Sequence, residues 1–158
     1  DLGRLTAVAT LDPIQVVPSV SSVATGRIEV EVDPAAGTFR YALEIGALEG
    51  VATQAHLHFG QRIVNGGIVA WLCGSAAGGE PAETPRCPAA PGRIEGVITA
   101  SQVLGPAGQG IAPGQFQQFL EAFGSGHVYV DVHSTGFAGG ELRGQLLPAK
   151  LPSGTAAQ

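Results

Sequence analysis

Short runs in which apolar and polar residues alternate one for one, separated by glycine and proline, constrain this chain more than any other feature. The segment from Gly26 to Val32 reads GRIEVEV, with Ile28, Val30 and Val32 on one side and Arg27, Glu29 and Glu31 on the other. A period of two is that of a strand with one buried and one solvated face. Asp33, Pro34 and Gly37 supply a turn, and Phe39, Tyr41, Leu43 and Ile45 return as the partner of a β-hairpin. Leu5, Ala7, Ala9 and Leu11 start an earlier strand, and Ala55 to Phe59, Ile68 to Leu72 and Arg93 to Thr99 continue the series. Val128, Val130 and Val132 alternate with His127, Tyr129, Asp131 and His133, and Leu142 and Leu146 alternate with Glu141, Arg143 and Gln145.

One stretch breaks the pattern. Phe116, Phe119, Leu120 and Phe123 recur at spacings of three and four between Pro113 and Gly124, which predicts a single short helix capping an end of the sheets. About eight short strands with one helix predict an all-β fold, a Greek-key β-sandwich or partly closed β-barrel. A parallel α/β fold would need helices between successive strands. Residues 1–147 are expected to form this one domain, and residues 148–158, PAKLPSGTAAQ, a flexible C-terminal tail.

Charge and motif content narrow the function classes. The net charge is −5 and the arginines are scattered, so no basic stripe is present to neutralise a nucleic acid backbone. No apolar run is long enough to span a bilayer as a helix. The glycine pairs at 66–67, 78–79 and 139–140 lack the P-loop Lys-Ser/Thr and the Rossmann order, so no nucleotide or organic cofactor is expected. No G-x-S-x-G elbow and no acid–base triad is found, so no catalytic residue is assigned. The chain opens on Asp1, as expected of a processed or excised chain.

Cys73 and Cys87 are the only cysteines and flank the irregular stretch CGSAAGGEPAETPRC. They read as a disulfide closing that loop, which points to an oxidising compartment and hence a periplasmic or secreted protein. A pair of free thiols and soft-metal ligation are the rival readings. The thirteen intervening residues and the lack of a nearby histidine weaken the second.

All four histidines fall in strand-like sequence. His56 and His58 flank Leu57, so a strand puts both imidazoles on one face with Cα atoms about 6.6 Å apart. His133 shares a face with Asp131, and the last strand offers Glu141 and Arg143. If these strands are neighbours, His56, His58 and His133 form a metal site, with Asp131 or Glu141 as a fourth ligand or as a group that orients an imidazole, and Arg143 beside them in the same polar patch. Imidazole donors suit copper or zinc, and the affinity order favours copper with zinc second. The competing reading has the histidines bonding to backbone or carboxylate without any metal. His127, at a strand entrance, is the weakest ligand candidate. Arg143 and Glu141 could instead pair with each other. Trp71 and Phe59 are expected in the core, and Gly144 marks a bulge or a place where another side chain packs over the backbone.

These residues resemble the CHRD domain family, named for the repeated domains of chordin and found singly in bacterial extracytoplasmic proteins. The resemblance runs from about Leu5 to Leu147. It is carried by TAVATLDPIQVVPSVSSVATGRIEVEVD, by AHLHFG and NGGIVAWL, by EGVITASQVLG, and above all by VYVDVHSTGFAGGELRGQL. His56, His58 and His133 match the family's histidines, and Gly140, Glu141, Arg143 and Gly144 its Gly-Glu-x-Arg-Gly element, while Asp131 stands where the family often has Asn. The resemblance implies an extracytoplasmic domain without established catalysis, with an extracellular or periplasmic protein as partner. It also implies that the cysteine loop is an insertion common in bacterial members. A fainter likeness to copper–zinc superoxide dismutases supports a Greek-key β fold and copper. It does not carry the enzyme over, because four histidines are too few. The expectation is an extracytoplasmic metal-binding domain with a copper site. The alternative is a protein-interaction or envelope scaffold whose histidines are structural.

Overall fold

The computed structural model describes residues 3–76 and 79–151. Its strands are β1 (Leu5–Leu11), β2 (Gly26–Asp33), β3 (Thr38–Ile45), β4 (Ala52–Phe59), β5 (Gly67–Gly74), β6 (Gly92–Ile98), β7 (Val128–Ser134), β8 (Leu142–Leu146) and β9 (Ala149–Lys150). The helix α1 spans Phe116–Gly124. Two antiparallel sheets form a β-sandwich, one in the order β6-β3-β2-β1-β9 and the other β5-β4-β7-β8. The chain crosses between them so that β6 returns beside β3 and β7 beside β4, connections of the Greek-key kind. Among the described residues no helix is long and apolar enough to cross a membrane.

The alternation in the sequence decides what each sheet buries. Ile28, Val30 and Val32 of β2 and Phe39, Tyr41 and Leu43 of β3 face Ala55, Leu57, Val130, Val132, Leu142 and Leu146 of the other sheet, all nearly inaccessible. Helix α1 closes one end of this core, with Phe119 and Phe123 packing on Phe39 at ring-centroid distances of 5.2 and 5.3 Å. Polar partners on the outer faces are a consequence of the same parity.

At one side the sheets meet. Asp12 N–H donates to the Arg143 carbonyl at 3.1 Å and Arg143 N–H to the Asp12 carbonyl at 3.2 Å, so the end of β1 is tied to β8. Gly144 permits the approach: a Cβ there would lie 2.5 Å from Leu11 Cδ2 and 2.6 Å from the Thr10 carbonyl oxygen. The expected packing of another side chain over this glycine is thus by Leu11. At the opposite side Cys73 and Cys87 form a disulfide, and Gly74 exchanges backbone bonds with Pro85 and Cys87 across the loop it closes. Of the expected tail, Ala149–Lys150 pairs with Thr6 and Leu5 of β1 and so belongs to the sheet, while residues 152–158 lie outside the described residues.

Two stability measurements follow. Reducing Cys73–Cys87, whose partners are 14 residues apart, should lower unfolding free energy by about 3 kcal/mol through the freed loop; superimposable denaturant curves before and after verified reduction would contradict this. Gly144→Ala should cost about 1–3 kcal/mol by overpacking against Leu11 and Thr10, and an unchanged midpoint would show that the β1–β8 corner can spread at no cost.

Candidate metal centre

The outer face of the four-stranded sheet is where the polar residues of β4, β7 and β8 converge. Register places His56 opposite Asp131, His58 opposite Tyr129, and Gln54 opposite His133. Across the next ladder Asp131 faces Arg143 and Tyr129 faces Gln145. Strand parity therefore sets three imidazoles around one carboxylate.

Asp131 is the hub. Its Oδ1 lies 3.1 Å from His56 Nδ1, and its Oδ2 lies 2.9 Å from His133 Nε2 and 3.0 Å from His58 Nε2. The first two contacts have hydrogen-bond geometry. The third is equally short but off the bonding direction, so the buried His58 Nε2 has no hydrogen-bond partner, and the same is true of His56 Nε2. The outer nitrogens of two rings are fixed by backbone: His58 Nδ1 donates to the Gly66 carbonyl at 2.9 Å and His133 Nδ1 to the Ala138 carbonyl at 2.8 Å. With the proton on Nδ1, each ring turns Nε2 toward Asp131. The His56 and His58 centroids are 5.4 Å apart, and those of His56 and His133 5.1 Å. One donor atom from each of His56, His58 and Asp131 lies within 4.8 Å of the others, a group suited to an ion.

Electrostatics follow from the same contacts. Burial is the largest influence on Asp131 and would raise its carboxyl, yet the hydrogen bonds from His133 and His56 and the nearby His58 imidazole outweigh it and hold it well below the ordinary carboxylate range. Burial pulls His133 down, but Asp131 and the Ala138 carbonyl prevail and its pKa is raised. For His56, burial wins over Asp131 and the pKa is lowered.

The face is outward with respect to the core, yet sealed. His56 is 2% exposed and Arg143 3%. The connection between β4 and β5, residues 60–66, lies over it, and the segment after β1 adjoins it through Asn65 Nδ2, which donates to the Val17 carbonyl at 2.9 Å. Arg143 reaches this connection with Nη1 on Asn65 Oδ1 at 3.0 Å and Nη2 on the carbonyls of Gln61 and Val64 at 2.9 and 2.7 Å. Its guanidinium carbon is 3.5 Å above the Tyr129 ring, and on that ring's other face His58 stacks at 4.8 Å with planes 1° apart.

His56, His58, His133 and Asp131 are thus brought together, with Asp131 at the centre. Glu141 is not with them. Its buried carboxylate accepts the Glu49 N–H at 2.9 and 3.2 Å, and the expected Glu141–Arg143 pair does not form. Strand β8 begins only at Leu142, so parity does not extend back to Glu141. His127 is exposed and bonds to Ser125 Oγ at 2.9 Å, away from the cluster. Trp71, expected in the core, is half-buried on the outer face with its ring edge-to-face on His56 at 4.4 Å. Its alternation with the buried Ala70 and Leu72 was the available signal. Tyr129, read on the same strand face as Asp131 and His133, was not assigned to the site, and the 60–66 connection was missed because a turn carries no sign of what it covers.

The family model of the CHRD domain matches residues 7–146. No curated protein and no solved structure matches the chain.

In metal-free protein, an NMR titration of the imidazole protons should show His133 titrating above its usual 6.5 and His56 below it. By linkage, the stability that His133 contributes is complete below the unfolded value near 6.5 and is lost as pH rises through its raised folded pKa. His56 acts oppositely, weakening the fold as pH falls below 6.5. Superimposed titration curves for the two rings would contradict the asymmetry.

Proposed function

The chain belongs to the CHRD domain family, and on that premise we propose that it is an extracytoplasmic domain binding one transition-metal ion, copper ahead of zinc, through His56, His58, His133 and Asp131. The observation that carries the reading is the convergence of the His58 and His133 Nε2 atoms at 3.0 and 2.9 Å from one carboxylate oxygen, with His58 Nε2 buried and lacking a hydrogen-bond partner. A ligating histidine characteristically ties its other ring nitrogen to a carbonyl or carboxylate, which fixes both tautomer and orientation. Gly66 and Ala138 do this for His58 and His133.

Three imidazoles and a carboxylate suit copper and zinc, whereas magnesium and calcium favour oxygen cages. The affinity order puts copper(II) above zinc at a nitrogen-rich site. A cation also compensates the Asp131 charge that imidazole protons otherwise meet. The Cys73–Cys87 disulfide supports an oxidising location, whether periplasmic or secreted.

A second reading has a specific observation in its favour. Asp131 already accepts hydrogen bonds from two imidazoles, so the cluster also serves as a buried polar network of a scaffold domain that engages an extracellular or periplasmic protein.

Metal analysis and titration separate the two. Trp71 is the only tryptophan and lies 4.4 Å from the His56 ring, so copper(II) binding should quench its fluorescence to an endpoint of one equivalent. A variant with His56, His58 and His133 replaced by Ala, shown folded by circular dichroism, should neither retain metal nor quench. Equal binding by both proteins would remove the site, and a wild-type chain that holds neither copper nor zinc but loses stability in the variant would establish the scaffold reading.

A further inference from the structure

We infer that Arg143 is the positioning residue of this centre, acting on His58 through the connection between β4 and β5. The inference rests on the metal reading above, but its geometry is independent of any ion. The His58 Nδ1 proton is held by the Gly66 carbonyl, so whatever places Gly66 decides where His58 Nε2 points.

Gly66 is placed from several directions. Its N–H donates to the Tyr129 hydroxyl at 3.0 Å. A Cβ at Gly66 would lie 1.8 Å from the Phe59 carbonyl oxygen, so the backbone is pressed against the end of β4. The preceding residues are gripped by Arg143, which bonds the Gln61 and Val64 carbonyls and the Asn65 side chain. The same guanidinium lies on the face of Tyr129 opposite His58. Arg143 therefore fixes the ring that stacks on His58 and the strap that receives its proton.

The residue type matters. A guanidinium is a planar fork that can serve three oxygens while lying flat on an aromatic ring, whereas an ammonium is a compact point charge. Arg143 is 3% exposed and its hydrogen bonds go to carbonyl and amide oxygens rather than to a carboxylate. An ion pair is thus not its role, and holding the strap accounts for all of its side-chain hydrogen bonds.

The test uses Arg143→Lys in the full chain. Long-range 15N–1H correlation spectra of the metal-free protein read the His58 tautomer directly. Wild type should show the proton on Nδ1 alone, and Arg143→Lys a loss of that single tautomer. Copper(II) affinity of the variant should fall about 10–100-fold, as for other groups that orient ligand histidines, with dispersed resonances for β2 and β3 showing an intact sandwich. A folded Arg143→Lys protein with the wild-type tautomer and affinity would overturn the proposal. Should that variant not fold, Asn65→Ala carries the test, and an unchanged His58 tautomer there would overturn it equally. A wild-type chain that binds no copper refutes the metal reading, while the tautomer measurement still decides the role of Arg143.

Discussion

A carboxylate taken out of water must be met by donors, and Asp131 imposes that requirement at the centre of the outer sheet face. An uncompensated buried charge costs several kcal/mol, so the neighbouring positions are not free to vary as solvated positions would be. Antiparallel pairing puts His56 directly across from Asp131, and His133 follows on the same strand and face. The His133 ring is bonded by one nitrogen to Asp131 and by the other to Ala138, and the carboxylate beside it raises its pKa. The fold thereby contains two kinds of interior: a dry one between the sheets, and a polar one against the back of the β5-β4-β7-β8 sheet.

The second interior exists because the chain covers it. Strand β8 presents Arg143 and Gln145 on that face, and both reach the 60–66 connection. Gln145 Nε2 donates to the Gly60 carbonyl at 2.9 Å, next to the carbonyls that Arg143 takes. An ordinary hairpin loop exposes its carbonyls to water, whereas here side chains of a strand two positions away in the sheet satisfy them. The strap can consequently lie flat over His58 and Tyr129 without burying unpaired backbone groups. Asn65 extends the same bonding to Val17 in the segment after β1. Burial of Asp131, bonding of the strap and closure of the β1–β8 corner are therefore coupled through β8.

Much of this was legible in the sequence, and the part that was not has a physical cause. Period-two alternation set the strands and which side of each faces the core, and it put His56 with His58 and Asp131 with His133. Adjacency of β4 and β7 and their register depend on contacts between residues some 75 apart in sequence, which local patterning does not encode. Glu141 shows the limit of parity, since the rule stops where the strand does. Trp71 shows the weakness of residue type as a guide to burial: its parity with Ala70 and Leu72 pointed outward, while its size argued for the core. The strap was invisible as part of the site because its work is done by carbonyls, which every residue has.

The same cover bears on what such a centre is suited to do. A catalytic metal keeps one coordination position open toward a substrate, whereas here the three imidazoles face Asp131, with His58 tied to the strap through Gly66. The side chains of His56 and His58 are 2% and 11% exposed, and the more open His133 only 17%. Rings tied to backbone carbonyls also have little freedom to swing outward to meet an incoming group. Convergent, covered and backbone-anchored donors of this kind would favour retention of an ion over turnover at it.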